Sequence, residues 1–198
     1  TRYFTDFTHD RPLDPDLRAV ALFAAARHGG EAEFTMMLKR YREESSPQVK
    51  IGLLGAMGSF RKIGLIKRYL DSGLSPDVRP QDIYIVLSQM FGNRSGRNQA
   101  WTWMKMHWDE LTNRYGAGGH MLERFPLYVA HGFSTRAMAA EVSEFFSLHP
   151  HPATVRPTAQ ALEMIEAKAD WFERDGDGIA EFLDAWKRTS GEGRRLKD

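Results

Sequence analysis

The tryptophan-rich stretch RNQAWTWMKMHWDELTNRY, residues 97–115, constrains the fold more than any other part of the chain. Five of its large side chains recur at steps of three or four residues: Trp101, Met104, Trp108, Leu111 and Tyr115. A helix with 3.6 residues per turn places all five on one face. Trp103 and Met106 lie on a second side of that helix. The spacing therefore predicts one continuous helix that is packed between two layers of neighbours.

The composition indicates a folded domain and excludes several classes of protein. Of the 198 residues, 42% are hydrophobic, which is enough for one sizeable core. A formal net charge of +1 provides no overall field to attract nucleic acid or an anionic membrane. The absence of cysteine excludes disulfides and thiolate metal sites, and it favours a cytoplasmic location. No apolar run approaches the roughly 20 residues that a membrane span requires. The opening TRYFTDFTHDRPLDP is typical of the middle of a longer chain.

Helical signals recur along the whole chain, whereas strand signals are scarce. Pairs of predicted helices begin near residues 15, 47, 80, 120 and 153. Such spacing is typical of stacked helical hairpins. We therefore predict an all-α superhelical array of antiparallel helix pairs, HEAT-like or armadillo-like, with about ten helices. Residues 1–190 form one domain in this prediction, and residues 191–198 form a frayed tail. A compact, irregular helical domain is the alternative.

Two segments near the start carry more detailed expectations. The first helix follows a capping Asp14, and its predicted apolar face is Leu17, Val20, Ala21 and Ala24. Three glycines then recur at every third position of KIGLLGAMG: Gly52, Gly55 and Gly58. A phosphate-binding loop would need GKS or GKT after them, which is absent. The glycines are instead predicted to allow two helices to approach closely.

The end of the chain is predicted to form two helices, from about Thr158 to Arg174 and from about Gly178 to Arg188. The segment between them partly matches a calcium-binding loop, with oxygen-bearing side chains and a glycine at the expected positions: Glu173, Asp175, Asp177, Gly178, Glu181 and Asp184. The first ligand is Glu and the last is the shorter Asp, so the match is imperfect. A tight turn capped by Asp explains the same residues and is the favoured interpretation.

Motifs of known catalytic centres are absent from the sequence. None of the seven histidines is followed by Glu, so the HExxH pattern of zinc hydrolases does not occur. His149 and His151 form an isolated HPH between prolines, which is typical of an exposed linker. No serine lies in a GxSxG motif. The sequence thus predicts neither a catalytic residue nor a metal site in this chain.

Three segments, in order, carry a family resemblance. Residues 78–115 combine R-x-Q-D, a glycine-containing turn, G-R before A-W, and H-W-D before Tyr. Residues 132–150 combine an F-S-T turn with an E-V-x-x-F-F helix, and residues 161–183 contain the E-x-I and W-x-x-R-D pattern. Together they resemble the C-terminal helical domain of the M1 zinc aminopeptidases, and most closely its puromycin-sensitive branch.

This resemblance implies a HEAT-like cap that closes over a separate catalytic domain of the same parent chain. The cap would help to enclose a cavity for a peptide substrate, and it would have no partner among nucleic acids or membranes. Zinc and its ligands would belong to the parent's catalytic domain, so no cofactor and no activity are expected in this chain alone. The alternative function is an independent helical-repeat scaffold that binds a protein partner.

The resemblance also suggests one substrate-binding residue. In antigen-trimming relatives, a basic side chain helps to bind the substrate's C-terminal carboxylate, but the matching position here is Met57. Arg136, in the FSTR turn, is the substitute candidate, since arginine suits bidentate carboxylate recognition. A local cap or an ion pair with Glu141 or Glu144 is the alternative role for Arg136.

Overall fold

The computed structural model describes residues 14–118 and 120–195, and within them the regular secondary structure is all helical, without strands. The α-helices in these residues are α1 (Pro15–His28), α2 (Glu31–Glu43), α3 (Pro47–Met57), α4 (Ile63–Ser72), α5 (Ile83–Gly92), α6 (Arg97–Met106), α7 (Trp108–Tyr115), α8 (Phe125–Gly132), α9 (Arg136–Leu148) and α10 (Val155–Arg195). Short 3-10 turns at Pro80–Asp82, Leu122–Arg124 and Pro152–Thr154 lead into α5, α8 and α10. The predicted all-α array of about ten helices is confirmed.

The helices pack as successive layers. Helices α1 and α2 pack against α3, α3 packs against α5, and α5 packs against α6 and α8. Helices α8 and α9 then pack against α10. One apolar core joins these layers, from Leu22 in α1 to Ile165 in α10. Residues 1–13 of the predicted domain and residues 196–198 of the predicted tail lie outside the described residues, while α10 itself continues to Arg195.

The tryptophan-rich stretch forms two helices instead of the predicted one. Its five seam residues are buried as expected, and so is Trp103. The helix breaks at His107, where φ is −107° and ψ is 17°. At this break the His107 ring stacks on Trp103 at 4.5 Å between centroids, and Nδ1 lies 2.9 Å from the Trp103 carbonyl oxygen. Met106 is 76% exposed, so its predicted burial is wrong.

Helix α1 begins as predicted but buries a different face. The Asp14 carboxylate accepts a 2.9 Å hydrogen bond from the Asp16 amide and caps the helix. The buried positions are Leu22 and Ala26, whereas Leu17 and Val20 are exposed. The segment ALFAAA is apolar on most sides of a helix, so periodicity could not identify the side that meets α3.

Only one of the three glycines in KIGLLGAMG permits a close helix approach. A Cβ at Gly58 would lie 2.4 Å from Cβ of Gln89 in α5, which is far inside van der Waals contact. A Cβ at Gly55 would meet Phe23 at an ordinary 3.8 Å, and none would meet a neighbour at Gly52. The prediction is therefore confirmed for Gly58 and wrong for Gly52.

The last two predicted helices are one continuous helix, α10. Both the predicted break after Arg174 and the tight turn before Gly178 are wrong. Glycine weakens a helix by up to about 1 kcal/mol relative to alanine, but it retains the backbone N–H and does not end a helix as proline does. A continuous helix spreads Glu173 to Asp184 along about 16 Å, so these side chains cannot surround one calcium ion as a loop would.

Candidate functional site

Arg136 begins α9, where Thr135 caps the helix by accepting a 3.3 Å hydrogen bond from the Met138 amide. Its guanidinium does not pair with Glu141 or Glu144. It reaches α10 instead, where it donates to Asp170 and, at 3.1 Å, to Glu173. Hydrogen bonding to Glu173, together with the nearby charge, raises the pKa of Arg136.

These contacts make Arg136 a link between α9 and α10. Its charge is already balanced by two carboxylates, so a substrate carboxylate at this position would compete with both of them. Met57, the position where relatives place a basic residue, is 1% exposed and belongs to the core. Neither position presents an unpaired cation to a cavity.

A polar cleft of 530 Å³ opens where the end of α3 meets the turn between α5 and α6. Its wall carries three arginines and five uncharged polar side chains: Arg27, Arg61, Arg94, Ser59, Ser88, Gln89, Asn93 and Ser95. No carboxylate and no histidine lines the cleft. The cleft therefore offers hydrogen-bond donors and positive charge without an internal counter-ion.

Asn93 holds the two loops of the cleft together. Its Nδ2 donates to the carbonyl oxygens of Gly58 at 2.9 Å and Phe60 at 2.8 Å. Its Oδ1 accepts a 2.9 Å hydrogen bond from the Ser95 amide. These bonds fix the loop that carries Arg61 against the loop that carries Arg94, so the two cations share one wall although 33 residues separate them in the sequence.

The charge of the three arginines is not balanced by the described carboxylates. Seven other arginines form ion pairs within residues 14–118 and 120–195: Arg40, Arg42, Arg68, Arg79, Arg114, Arg136 and Arg174. Arg27, Arg61 and Arg94 form none with a carboxylate of that part of the chain. A guanidinium binds a carboxylate through two parallel N–H donors, so this wall is suited to an anionic ligand.

An apolar groove adjoins the cleft. It has a volume of 470 Å³, runs along the exposed side of α1 past Val20 and Phe23, and shares Arg27 and Ser59 with the cleft. A ligand that follows both would meet apolar side chains at one end and cations at the other. A peptide with apolar side chains and a terminal carboxylate has this character.

The arrangement favours binding over chemistry. A serine nucleophile needs an adjacent general base, and the serines of the cleft have neither histidine nor carboxylate among the other lining residues. Across the described ranges, no three His, Asp or Glu side chains are grouped so that they could hold a metal ion. None of the helices described is both long enough and apolar enough to cross a membrane.

Sequence reasoning did not identify this cleft. The sequence patterns described above do not include Arg27, Arg61 or Arg94. The available signal was a pair of short turns, GSFR and GNRS, in which small or turn-forming residues accompany an arginine. Nothing in the sequence shows that those two turns meet.

Comparisons with known proteins all indicate the same family. Residues 1–167 match the family model described as ERAP1-like C-terminal domain. Aminopeptidase 2 of Candida albicans is 31% identical over 180 residues, which cover 90% of this chain and 20% of that protein. Glutamyl aminopeptidase of Sus scrofa is 31% identical over 78% of this chain and 17% of that protein. Aminopeptidase M1 of Arabidopsis thaliana is 31% identical over 87% of this chain and 20% of that protein. The chain thus spans about one fifth of the length of these relatives.

Proposed function

Because this chain belongs to the ERAP1-like C-terminal domain family, we propose that it is the helical cap of a zinc-dependent aminopeptidase, which removes N-terminal residues from peptides. The cap shapes the substrate cavity and takes part in closure against the catalytic domain, with no catalytic centre of its own. The names of its relatives support the aminopeptidase class. The partners in this proposal are the catalytic domain of the same parent chain and a peptide substrate.

The zinc ion of such an enzyme does not fit the described part of this chain, because no group of metal-ligating side chains is assembled there. We therefore assign zinc to the parent's catalytic domain. We also assign the parent to the puromycin-sensitive branch, on the motifs of residues 78–115, and to the cytoplasm, on the absence of cysteine.

The observation that most directly supports a peptide-facing role is the cleft of Arg27, Arg61 and Arg94 beside the apolar groove of α1. In the proposal, the arginines bind the C-terminal carboxylate of the peptide, and the groove contacts its apolar side chains. Arg136 is the second candidate for the carboxylate. It ranks behind the cleft because Asp170 and Glu173 already neutralise it.

The reading frame that encodes the chain provides the decisive test of the enzymatic assignment. The proposal expects an HExxH motif upstream in the same frame, and it expects the 198-residue chain alone to release no amino acid from an aminoacyl-naphthylamide. A start codon near Thr1 with no upstream catalytic domain would overturn the proposal in favour of an independent helical scaffold. Release of amino acids by the isolated chain, at a rate like that of a whole aminopeptidase, would contradict the placement of the chemistry.

A further inference from the structure

The cleft of Arg27, Arg61 and Arg94 holds more positive charge than one peptide carboxylate balances. None of the three guanidiniums forms an ion pair with a carboxylate of the described chain. Helix ends also contribute, because a helix C-terminus carries about −0.5 and an N-terminus about +0.5 of an elementary charge. Helices α1, α3 and α5 end at the cleft, and α6 begins beside it. Arginines and helix ends together leave an excess of about two positive charges, which equals the charge of two carboxylates.

Arg61 and Arg94 are held close to each other. The 2.8 Å hydrogen bond from Asn93 Nδ2 to the Phe60 carbonyl oxygen joins the two residues that precede them. Covalent geometry then keeps the Cα atoms of Arg61 and Arg94 within about 13 Å of each other. Two long side chains at this separation can reach the same carboxylate, which a guanidinium binds through two parallel N–H donors. This pair therefore suits the terminal carboxylate of a peptide.

Arg27 occupies a different position in the cleft. It lies in the last turn of α1, and it lines both the cleft and the neighbouring apolar groove. A peptide that follows the groove and places its terminal carboxylate on Arg61 and Arg94 passes Arg27 at its last residue. The terminal carboxylate supplies only one negative charge, so about one positive charge of the excess remains for a second group. A carboxylate in the side chain of the last residue supplies the second charge.

The position of Arg27 also has an ordinary structural explanation. Arg27 and His28 lie in the last turn of α1, where a positive charge interacts favourably with the helix dipole. That dipole offsets only about half of one charge, and this half is already included in the excess given above. The helix end therefore does not replace a counter-ion for the guanidinium.

A single inorganic anion would match the charge of the cleft but not its volume. The cleft measures 530 Å³, which lies within the range of about 300–1,000 Å³ that is usual for small-molecule sites. A phosphate ion has only five heavy atoms and would leave most of that space to water. An amino-acid residue at the end of a peptide also offers backbone groups to the uncharged polar side chains of the wall, among them Ser88 and Gln89.

We propose that the cleft selects peptides whose C-terminal residue is Asp or Glu, and that Arg27 binds the side-chain carboxylate of that residue. This proposal rests on the function proposed above, and it adds the class of substrate. Arg61 and Arg94 bind the terminal carboxylate of the same residue. Arg27 is thus a specificity-determining residue and takes no part in the chemical step.

Two peptides that carry a label at the N-terminus and differ only in the last residue, Glu or Gln, test this selection. The two side chains have nearly the same shape, so a difference in dissociation constant reports the charge. In fluorescence anisotropy with the 198-residue chain, the Glu peptide should bind about tenfold more tightly than the Gln peptide. A peptide with Glu moved to the penultimate position should bind like the Gln peptide. Equal binding of the Glu and Gln peptides, or an equal gain from penultimate Glu, would overturn the proposal.

Arg27→Ala isolates the residue that the proposal places against the side chain. It should reduce the preference for Glu over Gln from about tenfold to about twofold or less, with little effect on the Gln peptide. The double substitution Arg61→Ala with Arg94→Ala should instead weaken both peptides by a similar factor. Lys67→Ala, which removes an exposed charge outside the cleft, is the matched control and should keep the preference. If Arg27→Ala also keeps the preference, or weakens both peptides alike, Arg27 does not bind the side chain.

Kinetics of the full-length parent give a second measurement that does not depend on the isolated chain. The same preference should appear in KM for unlabelled peptides, with kcat unchanged, and Arg27→Ala should remove it. Inorganic phosphate should compete only weakly with the Glu peptide for the chain. Tighter binding of phosphate than of the Glu peptide would overturn the peptide as the occupant of the cleft.

The same peptides distinguish a failure of this proposal from a failure of the proposed function. If the chain binds Glu and Gln peptides equally, but binds both more tightly than their C-terminally amidated forms, the selection is wrong and carboxylate binding stands. If the preference appears in binding to the chain but not in the KM of the parent, the selection stands and the peptide-facing role in the enzyme is wrong.

Discussion

The indole Nε1 of Trp101 donates a 2.8 Å hydrogen bond to Oε1 of Glu141, forty residues later in the chain. Lys105 Nζ donates to the same oxygen at 2.6 Å. These contacts join α6 to α9, and the Trp101 ring also packs edge-on against Phe145 of α9, with 5.1 Å between centroids. The hydrogen bond from Lys105, with a smaller contribution from Trp101, lowers the pKa of Glu141 below its ordinary value.

The lowered pKa of Glu141 predicts a pH-dependent contribution to stability. A carboxylate with a depressed folded-state pKa stabilises the fold above its unfolded pKa of 4.5, and the contribution is lost as the pH falls through the lower, folded value. Glu141→Gln should therefore lower the free energy of unfolding at pH 7, by about 1 kcal/mol or less because the site is partly exposed. Urea titrations should show the difference from the parent chain shrinking below pH 4.5. Glu144→Gln, an exposed neighbour without these contacts, is the control, and a difference that stays constant down to pH 3 would contradict the assignment.

The buried tryptophan seam predicts a large stability loss on truncation. Trp108 is 4% exposed, and its ring packs edge-on against Phe145 and Phe146 at 5.5 and 5.4 Å between centroids. Trp108→Ala should cost about 3–5 kcal/mol, through lost burial and the cavity that remains. Met106→Ala, on the exposed side of the same helix pair, should change stability by about 0.5 kcal/mol or less. Thermal melts of the two variants check this, and an unchanged melt for Trp108→Ala would show that the seam carries no packing energy.

Some of these features follow from sequence and others depend on tertiary contacts. The seam of Trp101, Trp108 and Tyr115 was predictable because a 3.6-residue period is local information. The break at His107 was not, because no proline or glycine stands there to signal the end of a helix. The buried side of α1 also depends on where α3 lies, since α1 is apolar on most sides. The sequence alone could identify a helical array, but it could not identify which sides of its helices are covered.

The cleft illustrates the same limit at the candidate site. Asn93 contacts Gly58 across 35 positions of sequence, and no local pattern encodes that meeting. Arg136 was correctly located in the FSTR turn at the start of α9, but its partners Asp170 and Glu173 come from α10, a helix that the sequence predicted as two. The residue type alone made Arg136 a candidate for carboxylate binding. Only the tertiary structure shows that its charge is already paired.

Gly52 within α3 and Gly58, which caps the C-terminus of α3, should respond to alanine in opposite directions. Gly52 lies inside α3 with open space around a would-be Cβ, so Gly52→Ala should raise the free energy of unfolding by about 0.5–1 kcal/mol through helix propensity. At Gly58 the added carbon would lie 2.4 Å from Cβ of Gln89, so Gly58→Ala should lower it by about 1–3 kcal/mol through overpacking. Chemical denaturation of both variants measures the pair. A destabilising effect at both positions would show that α3 is closely packed along its whole glycine face.

The cleft arginines should affect peptide binding and leave the chemical step unchanged. In the full-length parent, the double substitution Arg61→Ala with Arg94→Ala should raise KM roughly tenfold for peptides with a free C-terminal carboxylate, because charge-assisted hydrogen bonds are lost. The value of kcat should change little, since binding far from the scissile bond is made equally in the ground and transition states. Hydrolysis of an aminoacyl-naphthylamide, which has no C-terminal carboxylate, should be unaffected.

C-terminal amidation of the peptide separates carboxylate recognition from a general effect of charge. The unsubstituted enzyme should bind the amidated peptide more weakly than the free acid. The double variant should bind the acid and the amide equally, because it already lacks the arginines that contact the carboxylate. Lys67→Ala removes one positive charge from an exposed position outside the cleft, and it should behave like the unsubstituted enzyme.

Arg136→Ala in the same assay compares the two candidate cations, and we expect it to have the smaller effect because two carboxylates already hold that guanidinium. If the double variant discriminates between acid and amide as strongly as the unsubstituted enzyme, the cleft does not bind the carboxylate. If the double variant still hydrolyses the naphthylamide at the unsubstituted rate, that failure would not count against the proposed cap role.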